Sequence, residues 1–235
     1  RRVLFRSASI RLDSGDLAAL SIEAKAQLEA AGFHNPQVVA SSDLDEFRIA
    51  EIKAAGGVVN AWGVGTQLIT SWPCPALGGV YKLASVQRAD GSWSPRMKAS
   101  SDPAKTTNPG RKRVLRMIAS DGTPLADLLA HVEEEIPQVG ADGRVAVVRP
   151  EAPEEVRFVE GVDRLESMLV PVVDQGRVVR SEPSVMELRE RALHQVRSFP
   201  AAVRKLRSPE RYPVFLTPGL ATLRKDLLSQ AQAGH

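Results

Sequence analysis

The chain carries a single cysteine, Cys74, in 235 residues. No internal disulfide can brace it, and that usage suits a reducing compartment, so a cytoplasmic location is expected. Aromatic residues make up only 5% of the sequence. The four histidines, His34, His131, His194 and His235, show no metal-ligand spacing, so no metal site built from the chain's own side chains is expected. No stretch approaches the roughly 20 apolar residues of a membrane span, and no h-region with a cleavage site opens the chain. A membrane partner is therefore not expected. Internal repeats and low-complexity tracts are absent as well. What is left, 43% hydrophobic and 25% charged, is the make-up of a globular protein long enough to bury a core.

Charge is sparse in sum but uneven in place. The formal net charge is +3. Between positions 88 and 116, however, Arg88, Arg96, Lys98, Lys105, Arg111, Lys112, Arg113 and Arg116 face only Asp90 and Asp102. Such a local excess fits a polyphosphate better than a neutral ligand. A nucleic-acid surface would interleave aromatic side chains with the basic ones. Trp93 stands alone in this stretch, so no nucleic-acid partner is expected.

The pattern of residues predicts α/β architecture. Residues 9–13 read as a strand ending in Asp13-Ser14-Gly15. Asp16 then caps a helix with Leu17, Leu20, Ala24 and Leu28 on one face, which ends at Gly32. A strand over 37–40 leads through Ser41–Asp43 into a helix over 44–55, and a strand over 58–62 delivers Gly63–Thr66. Polar residues at the C-terminal ends of strands that alternate with helices describe the working face of a (β/α) barrel. Farther on, strands are expected over 79–87, 94–99 and 114–118, a turn at Asp121-Gly122, and helices over 182–197, 199–206 and 218–231. The expected division is a leader at 1–7, a barrel portion at 8–136 and a helix-rich C-terminal extension at 137–235, with its boundary in the Pro- and Gly-containing stretch 137–153. The chain opens on Arg1 and enters a strand almost at once. We therefore expect the later part of a longer, irregular TIM-like barrel.

Four strand-end motifs carry candidate chemistry. Arg11 and Asp13 share one face of a strand. They suit either an anionic aromatic base with ribose hydroxyls, or an internal ion pair that closes a barrel. Ser14 and Gly15 extend that turn. Gly63-Val64-Gly65-Thr66 offers bare backbone N–H groups at a helix start for a phosphate, although many Gly-x-Gly strings are plain turns. Ser42 and Asp43 can hold the same phosphate or merely cap the helix. Asp45 and Glu46 read as solvated first-turn acids. Lys82 and Lys98, expected on strands, and Lys105, Arg111 and Lys112 in the loop 102–113 form a basic set for polyphosphate or a solvated loop. Cys74 reads as a packing residue, as do Trp62 and Trp72, and His131 as exposed.

Taken in order, Ile10-Arg11-Leu12-Asp13-Ser14-Gly15-Asp16-Leu17, Ser41-Ser42-Asp43-Leu44-Asp45-Glu46, Gly63-Val64-Gly65-Thr66 and Pro75-Ala76-Leu77-Gly78-Gly79-Val80-Tyr81-Lys82-Leu83 resemble the C-terminal half of the nicotinate phosphoribosyltransferase family. The resemblance continues through Arg96-Met97-Lys98 and Lys105–Lys112, and more weakly through Leu206–Tyr212. It implies transfer of phosphoribosyl from phosphoribosyl pyrophosphate (PRPP) to nicotinate, with ATP hydrolysis and Mg²⁺ aiding pyrophosphate departure. It places Arg11 beside the base, Asp13-Ser14-Gly15 at the ribose, and Gly63, Gly65 and Thr66 at the 5′-phosphate. It places the basic set on pyrophosphate and ATP phosphates, with the loop 102–113 as a lid. The family's phosphorylated histidine would lie upstream, and none of the four here matches it. A base-stacking aromatic would come from a partner subunit, implying a homodimer. The alternatives are nicotinamide phosphoribosyltransferase and a non-catalytic phosphate-binding fragment. Expressed alone, the chain should be poorly soluble or inactive, because half a barrel leaves edges and apolar faces bare. A soluble, monomeric, catalytically competent preparation would overturn this.

Overall fold

In the computed structural model, residues 9–76, 78–100 and 105–233 are described. The leader expected at 1–7 and part of the lid expected at 102–113 fall outside them. The chain forms two compact units, 1–79 and 80–235. The division expected at 137–153 is thus corrected. That stretch runs between and into strands of one six-stranded sheet, so its prolines and glycines mark turns inside a unit rather than a linker.

The first unit holds three parallel strands in the order β1 (Ser9–Leu12), β2 (Gln37–Ala40) and β3 (Ala61–Trp62). They are joined by α1 (Leu17–Ala30) and α2 (Glu46–Ala54), and β3 is followed by the single turn α3 (Thr66–Ile69). Asp16 caps α1 as expected, accepting from the backbone N–H groups of Ala18 and Ala19 at 3.1 Å. The buried face of α1 is Leu17, Ala18 and Ser21, not the expected leucine stripe, and Leu20 is 37% exposed. Ser21 tolerates burial because its hydroxyl donates to Ala18 O at 2.7 Å and accepts from Val58 N at 3.0 Å. Leu17, Ala18, Ala40, Leu44 and Ile52 make the core of this unit. The three strands form an open sheet, and the described residues close no barrel.

The second unit is richer in strands than expected. β4 (Ser85–Gln87) and β5 (Trp93–Pro95) form a hairpin shorter than the predicted strands, which leaves Lys82 and Lys98 outside both. The main sheet runs β10 (Arg164–Ser167), β6 (Lys112–Ile118), β7 (Pro124–His131), β13 (Val214–Leu216), β8 (Val145–Arg149) and β9 (Ala152–Val159). β6 and β7 turn at Asp121-Gly122, as predicted, with Gly122 at φ 86°. In β7 burial alternates residue by residue. Its inward side packs Ala126 and Leu128 with Leu115, Met117, Val145 and Val147. The opposite face of the sheet meets α5 (Pro218–Ala233) through Leu216, Leu220 and Ala221.

Two expectations about the tail are corrected. The stretch from 151 begins with β9, not a loop and helices. An edge strand needs only one partner, so it can carry Glu154, Glu155 and Arg157, and Pro153 falls where the register with β8 shifts. Residues 199–206 make only a turn, with Arg204 N reaching Pro200 O and Ala201 O at 3.3 and 3.2 Å. β11 (Val173–Asp174) and β12 (Arg177–Val178) form a small hairpin. α4 (Val185–Ser198) and α5 do match prediction, the first opened by a capping box of Ser184 and Glu187. No helix of the described residues is long and apolar enough to cross a membrane.

The returning segment is fastened to the sheet by one polar cluster. Arg116 grips Asp127 with both ends of its fork, at 2.8 and 2.9 Å, and the two side chains are 17% and 15% exposed. Tyr212 donates to the same carboxylate at 3.2 Å, and its ring meets Phe199 edge-on at 4.9 Å. Burial pushes the Tyr212 hydroxyl well above its ordinary range, and the bonds to Asp127 hold the Arg116 guanidinium up. Removing one charge of such a pair leaves the other desolvated, so Arg116→Ala should lower unfolding free energy by about 2–3 kcal/mol. Tyr212→Phe, which removes one hydrogen bond, should cost about 1 kcal/mol. Urea midpoints at constant slope are the check. Equal, near-zero shifts would show that the cluster is not holding the segment.

Candidate functional site

The register of the parallel sheet sets the site. Leu12 pairs with Ala40 and Ala40 with Trp62, so the next residues, Asp13, Ser41 and Gly63, lie side by side at the carboxyl ends. Ser41 donates its hydroxyl to Asp13 at 2.7 Å, and Arg11 reaches the other carboxylate oxygen at 3.5 Å. Arg11 and Asp13 therefore share a face as predicted, yet they are 68% and 56% exposed. An exposed pair contributes little stability and does not close a core. Ser41 was not among the expected site residues, although its place one residue past a strand end is the signal that finds it.

The following turns present backbone and small polar groups. Gly15 sits at φ 79°, where a Cβ would also meet Leu20 Cδ1 at 3.1 Å, so both backbone and packing ask for glycine. Ser14 beside it is exposed. The N–H of Gly63 is spent in the sheet on Ala40 O at 2.7 Å. A Cβ on Gly65 would meet nothing within 4 Å, so its backbone faces open space. Thr66, the first residue of α3, is exposed next to it.

In the second turn the cap is Asp45, which accepts from Arg48 N at 2.6 Å. The expectation of Asp45 as a merely solvated acid is corrected. Ser42 and Asp43 are released from capping, with φ at 94° and 45°, and their side chains have no hydrogen bond among the described residues. A serine held at positive φ is uncommon and strained, and such residues gather at ligand sites. Trp62 packs partly against the core of its unit, as expected, whereas Trp72 is 60% exposed and lines a cavity of about 370 Å³ with Val64 and Leu68. The packing reading of Trp72 is corrected, because the single turn α3 is too short to cover it.

The second unit holds the basic set. Lys82 and Lys98 are exposed, and the Lys98 backbone is tied to Thr107, giving to its hydroxyl at 2.9 Å and accepting from its N–H at 3.2 Å. Lys105 is exposed on the same loop. Arg111 lies over the Trp93 ring at 4.4 Å and pairs with Glu133 at 3.7 Å. Lys112 is committed inward. Its ammonium donates to the carbonyls of Asn108, Pro109 and Gly110 at 2.9, 3.4 and 2.5 Å, and burial pushes it below its ordinary value. Three carbonyls exhaust its three donors, so this lysine shapes the loop. His131, expected to be exposed, is half-buried at the end of β7, where Gly110 leaves room for its ring.

Strain at Ser42 has a measurable sign. Strain of about 1–3 kcal/mol exceeds the 0.5–1 kcal/mol of chain entropy that glycine brings. Ser42→Gly should therefore raise stability by about 1 kcal/mol in thermal or urea melts. A loss of stability would show that the serine serves the fold.

Comparisons with known proteins give the chain's family. The family model described as the nicotinate phosphoribosyltransferase C-terminal domain matches residues 111–224. The chain is 36% identical over 230 residues to nicotinate phosphoribosyltransferase of Homo sapiens, covering 95% of this chain and 41% of that protein. It is 37% identical over 209 residues to the enzyme of that name from Bacillus subtilis (strain 168), covering 88% and 42%. The crystal structure of human nicotinic acid phosphoribosyltransferase superposes with a TM-score of 0.70 at 30% identity, covering 95% of this chain and 40% of that one. The chain thus spans about two-fifths of the length of these relatives. With matches of this kind over nearly all its length, the chain belongs to the nicotinate phosphoribosyltransferase family and corresponds to the C-terminal region of its members.

Proposed function

We propose that this chain forms the ribose- and phosphate-facing part of an enzyme that makes nicotinate mononucleotide from nicotinate and PRPP. The observation that carries the reading is the alignment of Asp13, Ser41 and Gly63 at three adjacent strand ends, with Arg11 paired to Asp13. In this reaction the nicotinate ring nitrogen bonds to ribose C1 as the bond from C1 to the pyrophosphate oxygen breaks, and pyrophosphate leaves with the electron pair. Arg11 holds the carboxylate of nicotinate, and Asp13, steadied by Ser41, accepts from ribose hydroxyls or the cationic sugar. Ser14 and Gly15 continue the ribose side, Ser42, Asp43, Gly65 and Thr66 surround the 5′-phosphate, and Gly63 keeps the backbone close. On the family resemblance, Lys82, Lys98, Lys105 and Arg111 of the second unit serve the departing pyrophosphate, whose developing negative charge positive groups stabilise. Lys112 keeps their loop in shape.

The phosphates of ATP would suit the same basic residues, and Mg²⁺ would come bound to those phosphates. Among the described residues no three His, Cys, Asp or Glu side chains gather to hold a metal. Magnesium would ride on phosphate oxygens, as it commonly does in phosphoryl sites, and would neutralise charge on the leaving group. The three strands would be the later part of a (β/α) barrel completed by the rest of a polypeptide of the relatives' length, acting in the cytoplasm as a homodimer. The test is formation of nicotinate mononucleotide and pyrophosphate by the enzyme that carries this chain, with nicotinamide as the competing base. Asp13→Asn and Arg11→Ala should each lower kcat/KM about 100-fold, or roughly 2.7 kcal/mol. Equal turnover of nicotinamide, or full activity of Asp13→Asn, would sink the proposal.

A further inference from the structure

The second unit contains a cavity of about 490 Å³ that uses none of the strand-end residues. Four separate segments build it. Asn108 comes from the loop before β6, Arg149 and Glu151 flank the β8–β9 turn, and Arg211 leads into β13. Leu129 of β7 and Val214 of β13, on one face of the sheet, supply an apolar floor. The volume falls within the range of roughly 300–1,000 Å³ common for small-molecule sites.

Its polar groups are held in place yet left unsatisfied. Tyr212, next to Arg211, is fastened to Asp127, which fixes the backbone that carries Arg211. Arg224 of α5 donates to Pro150 O at 2.9 Å and so steadies the turn between Arg149 and Glu151. Lys112 holds the Asn108 carbonyl at 2.9 Å. The Arg211 guanidinium and the Asn108 amide have no partner among the described residues. Arg149 is exposed, and no hydrogen bond or ion pair holds its guanidinium among the described residues.

The chemistry of this set selects its ligand. Two arginines that approach one space suit phosphate oxygens, which match the planar guanidinium fork. An inorganic polyphosphate would have no use for the apolar floor and would be opposed by Glu151. A nucleoside phosphate uses all of them: base on Leu129 and Val214, base edge to Asn108, ribose hydroxyls to Glu151, phosphates to Arg149 and Arg211. We propose that this cavity is a nucleoside-phosphate site, separate from the strand-end site and independent of the reading given to it.

Calorimetric titration with ADP, pyrophosphate and adenosine tests this on the chain, carried in the longer enzyme where it is insoluble alone. ADP should bind with one site beyond any at the strand ends, at least about tenfold tighter than pyrophosphate, and adenosine should bind weakly or not at all. Arg149→Ala and Arg211→Ala should each weaken ADP about tenfold, and Arg211→Lys by less. All three sit on exposed side chains, and unchanged circular dichroism confirms that the variants fold. Lys98→Ala should leave this site's affinity intact. The proposal is overturned if Arg211→Ala binds ADP as the parent does, if pyrophosphate binds as tightly as ADP, or if Lys98→Ala rather than Arg211→Ala abolishes binding.

Discussion

Parallel pairing of three short strands is the constraint on which the candidate site depends. Register in a parallel sheet cannot slip by one residue without turning every side chain to the other face. With Leu12, Ala40 and Trp62 in line, Asp13, Ser41 and Gly63 must follow in line. Neighbouring strands lie about 4.8 Å apart, a spacing that a ribose phosphate can bridge. The burial of Val38 and Ala40 between the helices pins the register, so the small core of the first unit supports the geometry of its polar rim.

The second unit solves a different problem. Its sheet joins distant parts of the chain, with β13 inserted between β7 and β8 some eighty residues after β7 ends. Such an arrangement needs a fastening where the segment returns. The bidentate Arg116–Asp127 pair, joined by Tyr212 and covered by Phe199, supplies it. This gives a physical role to the weakest part of the family resemblance, Leu206–Tyr212: its last residue locks a strap to the sheet. The same lock leaves Arg211 beside a cavity, so a structural contact and a recognition element occupy consecutive positions.

Basic residues that looked equivalent in the sequence divide by what their nitrogens already hold. Lys112 gives all its donors to three carbonyls, whereas Lys82 and Lys98 present theirs to solvent. A similar division separates the serines and aspartates of the second turn. Asp45 has the capping task, and Ser42 and Asp43 are held at positive φ without one. Composition cannot make either distinction, because a donor's availability depends on which carbonyl the backbone brings near it.

The sequence alone determined the α/β alternation of the first unit, the Asp16 cap, the shared face of Arg11 and Asp13, the Asp121-Gly122 turn, the last two helices and the family. These are local properties, set by caps, turns and periodicity within a few residues, or carried by motif order. Only the tertiary structure decided the six-stranded sheet, the place of the division between units, the exposure of Leu20 and Trp72, and the commitment of Lys112. β7 and β9 were illegible for opposite reasons. The first carries apolar side chains on both faces, so its burial alternates while its sequence does not, and the second is an edge strand whose charges read as loop. β9 is a strand because its neighbour β8 hydrogen-bonds to it across a two-residue turn, and β7 because it lies between adjacent β6 and β13, which returns from far along the chain where no local pattern encodes it.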